Sequence, residues 1–201
     1  MSPDETGRNY DKIAEWWINE QMKNPEYGMT FIRKAINYSK ENSTALDIGC
    51  GGTGRTIDEL LKKGHSVIGL DVSSEMIRLA KAKHSDVQFI HSDFCIWPTD
   101  KTFDLILAWD SLFHAPMELQ ERAVTKMCDL LNPKGILLFT TGAYESEVSG
   151  PMKGVHFEYS SIGYRNYLKI IENKGCKLIL MEEDQYPAGH MVFLCQKSVQ
   201  D

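Results

Sequence analysis

The stretch Thr44 to Thr56, TALDIGCGGTGRT, decides how the chain is read. A short apolar run enters a glycine cluster, and the helical pattern RTIDELLKKG (55–64) follows directly. A strand that turns through glycines into a helix brings backbone N–H groups to the helix start, where a ligand can approach the main chain closely. Gly49-Cys50-Gly51-Gly52-Thr53-Gly54 spells GxGxxG, the pattern of dinucleotide-binding turns, although a plain tight turn satisfies it too.

The alternation of strand and helix continues outward from this turn. ALDIGC (45–50), SVIGLD (66–71), VQFIHSD (87–93), FDLILAWD (103–110) and GILLFTTG (135–142) are continuous apolar runs, as strands covered on both faces require. Between them SSEMIRLAKAK (73–83) and MELQERAVTKMCDLLNPKG (117–135) carry helical spacing, the first with serine N-caps and the second stopped at NPKG. Such alternation predicts a doubly wound α/β fold with a parallel sheet, whose ligands sit at the carboxyl ends of the strands. After the helix GYRNYLKIIENKG (163–175), CKLILMEED (176–184) and HMVFLCQK (190–197) flank the turn QYPAG and read as an antiparallel edge hairpin. Ahead of the first strand, NYDKIAEWWINEQM (9–22) and YGMTFIRKAINYSKEN (27–42) are helical by period, in position to form a lid.

Composition sets bounds. The 201 residues are 42% hydrophobic and 25% charged, ordinary for one globular domain. A net charge of −6 and scattered basic residues argue against a general nucleic-acid binder, which needs clustered Lys and Arg. The five cysteines are widely spaced with no CxxC pair, so no metal site is expected and the thiols read as reduced and buried. The polar start MSPDETGRNYDK has no apolar signal segment, and no run is long enough to span a bilayer; a cytoplasmic protein without a membrane partner is expected.

Acids at the strand ends narrow the ligand. Asp71 ends the second strand about twenty residues after the turn, where a carboxylate can bind ribose hydroxyls or simply cap the next helix. Asp47, two residues before Gly49, would repel a pyrophosphate but suit an amino-bearing ligand. Asp93, ending the third strand, can accept from an adenine amine, with Phe94 packing on the ring.

LDIGCGGTGR (46–55), VIGLDVSSEMI (67–77), FIHSDF (89–94) and FDLILAWDSLFH (103–114), in this order and spacing, resemble the class I S-adenosylmethionine-dependent methyltransferases; LNPKGILLFTTG (131–142) continues the likeness. YDKIAEWW (10–17) and the tail look like small, stand-alone bacterial members, so the resemblance spans nearly the whole chain. It implies a seven-stranded, Rossmann-like sheet, mostly parallel with an antiparallel C-terminal edge. It implies S-adenosylmethionine as cofactor, with Tyr10, Asp47 and the backbone of Gly49, Cys50 and Gly51 at its methionine end and Asp71 on the ribose. Val72 and Met76 would pack on the adenine beside Asp93 and Phe94, and Trp109 would form a floor. The loop departs from the family's usual GxGxG by a further glycine step, so the resemblance assigns Gly49 and Gly51 ahead of Gly54.

One domain is expected over 1–201: a helical lid (1–42), a cofactor-binding core (43–142), and a substrate-side loop, helix and edge hairpin (143–201). Methyl transfer from a sulfonium needs orientation more than a protein nucleophile, with a base where the acceptor holds its proton. Asp110 and His114, in WDSLFHAP, lie at the correct sheet end to serve, His114 by titrating near neutrality; capping and packing are the plainer roles for each. His190 reads as a substrate contact or a turn histidine; His65, His84 and His91 read as solvent-exposed. Trp16 and Trp17 read as lid packing ahead of base-stacking groups, and 159–167 as pocket lining or helix packing. WDSLFHAP lacks the acid-Pro-Pro-aromatic signature of nucleic-acid amino methylation, and no Pro-Cys nucleophile occurs, which leaves a small-molecule methyl acceptor as the partner. The literal GxGxxG keeps a nicotinamide-dependent oxidoreductase as one alternative; a non-catalytic S-adenosylmethionine-binding protein is another.

Overall fold

A computed structural model describes residues 1–185 and 188–199; within the expected turn QYPAG, Tyr186 and Pro187 lie outside the described residues. Five parallel strands, β1 (Thr44–Ile48), β2 (Ser66–Asp71), β3 (Gln88–His91), β4 (Phe103–Ala108) and β5 (Leu131–Gly142), form the body of a seven-stranded sheet. The hairpin strands, β8 (Cys176–Glu183) and β9 (His190–Lys197), complete it in the order β3-β2-β1-β4-β5-β9-β8, with β9 antiparallel to both neighbours. Leu46, Leu105, Ile106 and Leu107 are fully buried, because helices cover both faces and split the core into two apolar layers. β1 leads outward to β2 on one side and the chain returns to β4 on the other, so the crevice at the carboxyl ends of β1 and β4 is the topological switch point.

The helices follow their local signals. α1 (Pro3–Trp16) starts earlier than the apolar period predicts, since Ser2 and Glu5 form a reciprocal capping box with proline just inside the helix. Its last turn widens into a π-helical turn, Trp17–Gln21. α2 (Met29–Tyr38), α3 (Arg55–Lys62), α4 (Ser74–Lys83), α5 (Met117–Asp129) and α6 (Tyr164–Asn173) fall within the predicted segments. α1 lies against the start of α4: Asp11 accepts from the Ser73 and Ser74 hydroxyls and the Glu75 amide at 2.6, 3.0 and 3.0 Å. A Cβ on Gly7 would come within 2.1 Å of the Val72 carbonyl oxygen, so the close approach requires glycine there.

Two stretches differ from expectation. The predicted loop after residue 142 contains a second antiparallel sheet, β6 (Glu145–Met152) with β7 (Val155–Ile162), closed by Lys153 and Gly154 at φ 51° and 78°. Positive φ at both turn positions matches the twist of a two-residue hairpin. β5 begins at Leu131 rather than Gly135, crossing NPKG as an irregularity in its pairing with β4 while Lys134 takes φ 65°. Among the described residues no helix is long and apolar enough to cross a membrane, and no group of three His, Cys, Asp or Glu side chains is placed to hold a metal ion. All five cysteines are free and buried.

Candidate functional site

The glycine turn is held to the neighbouring strand by its own amides: those of Gly49 and Cys50 both donate to the Leu70 carbonyl, at 2.7 and 3.1 Å. Gly49 sits at φ 70°, and a Cβ there would lie 2.4 Å from Cβ of Ser111, so both conformation and space require glycine. Gly51, at φ 58°, faces the opposite condition. A Cβ on it would meet nothing within 4 Å, because it borders an open cavity.

Two carboxylates lie beneath this turn. Asp71 is 8% exposed and accepts from the amides of Gly51 (2.9 Å) and Ser73 (2.8 Å). Burial raises its pKa, and the two amides act against that rise. Asp47 is 3% exposed, and its Oδ2 has no hydrogen-bond partner among the described residues. Burial first, and the neighbouring Asp71 charge second, push its pKa up to about 7. A buried, unpartnered carboxyl beside the glycine turn suits a ligand bearing an ammonium group and disfavours a pyrophosphate.

The residues singled out from sequence converge here. Tyr10, Asp47, Gly49, Cys50, Gly51, Asp71, Val72, Met76, Trp109, Asp110 and His114 line one cavity. Asp93 and Phe94 line an adjoining one, whose wall shares Gly49, Asp71, Val72 and His114. Asp93 also accepts from the Cys95 amide at 2.8 Å, which fixes the loop after β3. Trp109 leans on Phe31, 5.9 Å between ring centroids, while its Nε1 finds no partner among the described residues.

Sequence reasoning missed Thr6, Arg55 and Ser111 in these walls, and Trp17, read as lid packing ahead of base stacking, also lines the cavity. The Ser2–Glu5 capping box was the available signal for Thr6: a helix from Pro3 sets Thr6 and Tyr10 four residues apart on one face. Arg55, at the start of α3, donates to the Tyr27 carbonyl and lies 5.6 Å from that ring's centroid.

On the acceptor side the two proposed catalytic groups share the cavity but not their partners. His114 Nε2 is 2.8 Å from the Tyr10 hydroxyl and its Nδ1 3.4 Å from the Glu158 carbonyl oxygen. Burial lowers its pKa to about 4, which overturns the expectation that it titrates near neutrality. Asp110, at φ 51°, is paired with His190 Nε2 at 2.9 Å, and His190 Nδ1 with Asp184. Burial alone would lower the His190 pKa, but the two carboxylates raise it above its ordinary value. His190 lines neither of these two cavities and is paired with both carboxylates.

His65 is 3% exposed between Ser39 and Ser43, and His84 is half-buried; of that group only His91 is exposed as expected. Trp16 packs under Lys153. Tyr167 is fully buried, donating to Gln120 and within 2.7 Å of the Thr141 hydroxyl; Tyr159 instead faces His114, 4.9 Å between centroids.

Comparison with known proteins agrees with this geometry. Residues 45–135 match the methyltransferase domain family. An uncharacterized methyltransferase of Alkaliphilus oremlandii is 32% identical over 147 residues, covering 72% of this chain and 67% of that protein. The chain belongs to the class I S-adenosylmethionine-dependent methyltransferases. A ubiquinone biosynthesis O-methyltransferase of Aliivibrio fischeri is 27% identical, with 70% of this chain matching 63% of the relative. The fold is shared by the Burkholderia thailandensis 1,6-didemethyltoxoflavin-N1-methyltransferase, solved with S-adenosylhomocysteine, at a TM-score of 0.68 and 15% identity over 99% of this chain and 92% of that one.

This methyltransferase takes S-adenosylmethionine as its cofactor, as its family does. The family, rather than the literal GxGxxG, thus decides against a nicotinamide enzyme, and an orphaned buried carboxyl at Asp47 is compatible with a ligand's ammonium.

Proposed function

We propose that the methyltransferase binds S-adenosylmethionine with its methionine end at Asp47 and the backbone of Gly49 to Gly51, under Tyr10. Asp71 takes the ribose, Val72 and Met76 the adenine face, Asp93 and Phe94 the adenine edge, and Trp109 the floor. The single observation that carries this reading is the unpartnered Oδ2 of the buried Asp47. The sulfonium of the bound cofactor supplies an activated methyl group. The chain's own task is then to align an acceptor and exclude water, an effect worth about 7 to 11 kcal/mol in well-oriented systems.

The acceptor is a small molecule reaching Asp110 and His114, and the enzyme works in the cytoplasm as one domain, without nucleic-acid or membrane partners. The negative net charge and the cavity lined by Thr6 and Tyr10 of α1 support this reading. The His114 pKa of about 4 leaves its imidazole neutral at pH 7, hydrogen-bonded to Tyr10. His114→Ala lowers turnover more than it lowers cofactor affinity; equal activity in the two proteins dismisses His114 from the reaction.

Thermal unfolding with S-adenosylhomocysteine or NADH tests the cofactor assignment. At about 100 times its dissociation constant a specific ligand adds about 2.7 kcal/mol, raising the midpoint by roughly 5 to 10 °C. The rise occurs with S-adenosylhomocysteine alone. A rise with NADH alone refutes the placement of an ammonium at Asp47.

A further inference from the structure

We propose that Arg55 binds the carboxylate of the cofactor's methionine end, and that with Asp47 it restricts the site to S-adenosyl compounds carrying a complete amino-acid end. The inference rests on the cofactor placement above and extends it to a residue which that placement leaves without a role.

Charge complementarity sets the requirement. The methionine end of the cofactor is a zwitterion whose ammonium and carboxylate are attached to the same carbon. The cavity wall holds three carboxyl groups, Asp47, Asp71 and Asp110, but among the described residues a single lysine or arginine, Arg55. A ligand carboxylate brought in beside Asp47 therefore meets like charge unless it lies against Arg55. His114, on the same wall, is neutral at pH 7 and supplies no compensating charge.

Arg55 has the local structure to receive that group. It is the first residue of α3, whose N-cap, Gly54, offers no side chain to the amides of the first turn. The partial positive charge of this helix end adds to that of the guanidinium. Nη1 donates to the carbonyls of Tyr27 and Pro25, the second at 3.4 Å, and the guanidinium carbon lies 5.6 Å from the centroid of the Tyr27 ring. These contacts fix the side chain and leave Nε and Nη2, one edge of the planar fork, without an acceptor among the described residues. Such an edge matches a carboxylate through two parallel hydrogen bonds. The acids whose fields reach the guanidinium are Asp110 and Asp47 on the same wall and Glu26 outside it, and none forms an ion pair with it among the described residues. Asp110 is held by His190 Nε2 at 2.9 Å instead, and Glu26 by Arg33. Asp47 and Arg55 thus form the two halves of a receptor for a zwitterion: an acid without a cation and a guanidinium edge without an anion.

The test measures calorimetric binding of two ligands to the full-length protein: S-adenosylhomocysteine and its decarboxylated analogue, which keeps the adenosine, the sulfur and the amine and lacks only the carboxylate. The wild type is expected to bind S-adenosylhomocysteine about 10- to 100-fold more tightly than the analogue. Arg55→Gln brings the two affinities to within about threefold of each other, by weakening S-adenosylhomocysteine and leaving the analogue nearly unchanged. Arg55→Lys, which keeps a point charge but not the fork, retains part of the preference. Asp47→Asn weakens both ligands, since both carry the amine. Equal affinities in the wild type overturn the inference, and that comparison decides alone where Arg55→Gln does not fold. A preference that survives in Arg55→Gln overturns it too, including the case in which both ligands weaken to the same extent; that is the result expected of an Arg55 that only holds Tyr27 or balances Asp110. A wild type that binds neither ligand strikes the cofactor placement, and the inference with it.

Discussion

Asp47 and Asp71 lie in the last two positions of adjacent parallel strands, both nearly inaccessible to solvent, yet the protein treats them oppositely. Asp71 receives two amide hydrogen bonds and helps to shape the glycine turn and the start of α4. Asp47 has an oxygen with no partner among the described residues and a pKa lifted to about 7. One buried acid is part of the scaffold, whereas the other is destabilising when ionised, and we propose that the ammonium of a ligand completes it. The difference shows how a fold keeps a charge ready: it satisfies the neighbour and leaves one group unmatched.

The comparison can be broken most forcefully at Asp71. Asp71→Ala leaves two amides without an acceptor, so it should lower stability by about 2 to 4 kcal/mol and abolish measurable S-adenosylhomocysteine binding, the protein remaining folded. Calorimetric unfolding and titration read both effects; unchanged affinity removes Asp71 from the site.

Asp47→Asn should do the reverse to stability. An ionised carboxyl moved from 3.8 to about 7 destabilises the folded state by about 4 kcal/mol at most. Its neutral isostere should therefore raise the melting temperature of the ligand-free protein at pH 8 by about 5 °C. The same substitution weakens S-adenosylhomocysteine binding by about 30- to 150-fold, the about 2 to 3 kcal/mol of a charge-assisted hydrogen bond. A variant that loses stability and keeps its affinity would equate the two acids.

A pH series sharpens the contrast without mutation. The raised folded-state pKa means that Asp47 favours folding fully below about pH 4, and that this contribution is lost as pH rises to about 7. Ligand affinity runs the other way, falling up to about tenfold per pH unit below 7 as the carboxyl takes up a proton. Asp47→Asn should flatten both slopes. The smallest effect belongs to Ser73→Ala, which removes the cap accepted from the Met76 amide at 3.1 Å and one tie to Asp11. It should lower stability by about 1 kcal/mol and the melting temperature by about 2 to 4 °C, with affinity nearly unchanged.

The parallel core was legible because continuous apolar runs admit few structures once covered on both faces: β2 and β9 have the bounds their patterns predict. The pairing of β6 and β7 was hidden because β6, ESEVSGPM, is polar and exposed and contains glycine and proline, so it carries neither alternation nor strand propensity. Asp47, Asp71 and the glycines were legible from their places at strand ends. The burial of His65 was not, because it depends on hydroxyls of Ser39 and Ser43 more than twenty positions away in sequence. The His114 pKa likewise follows from α1 and β7 closing over it, which local sequence does not encode. The pairing of His190 with Asp110 spans 80 positions and arises only once β9 lies beside β5.

The most direct test is the titration of the Asp47 carboxyl carbon by NMR, in the free protein and with S-adenosylhomocysteine bound. The account predicts a midpoint near 7 in the free protein and a carboxyl that stays ionised well below that pH once the ligand's ammonium is in place. A midpoint near 4 in the free protein, or one that the ligand leaves unmoved, would contradict it.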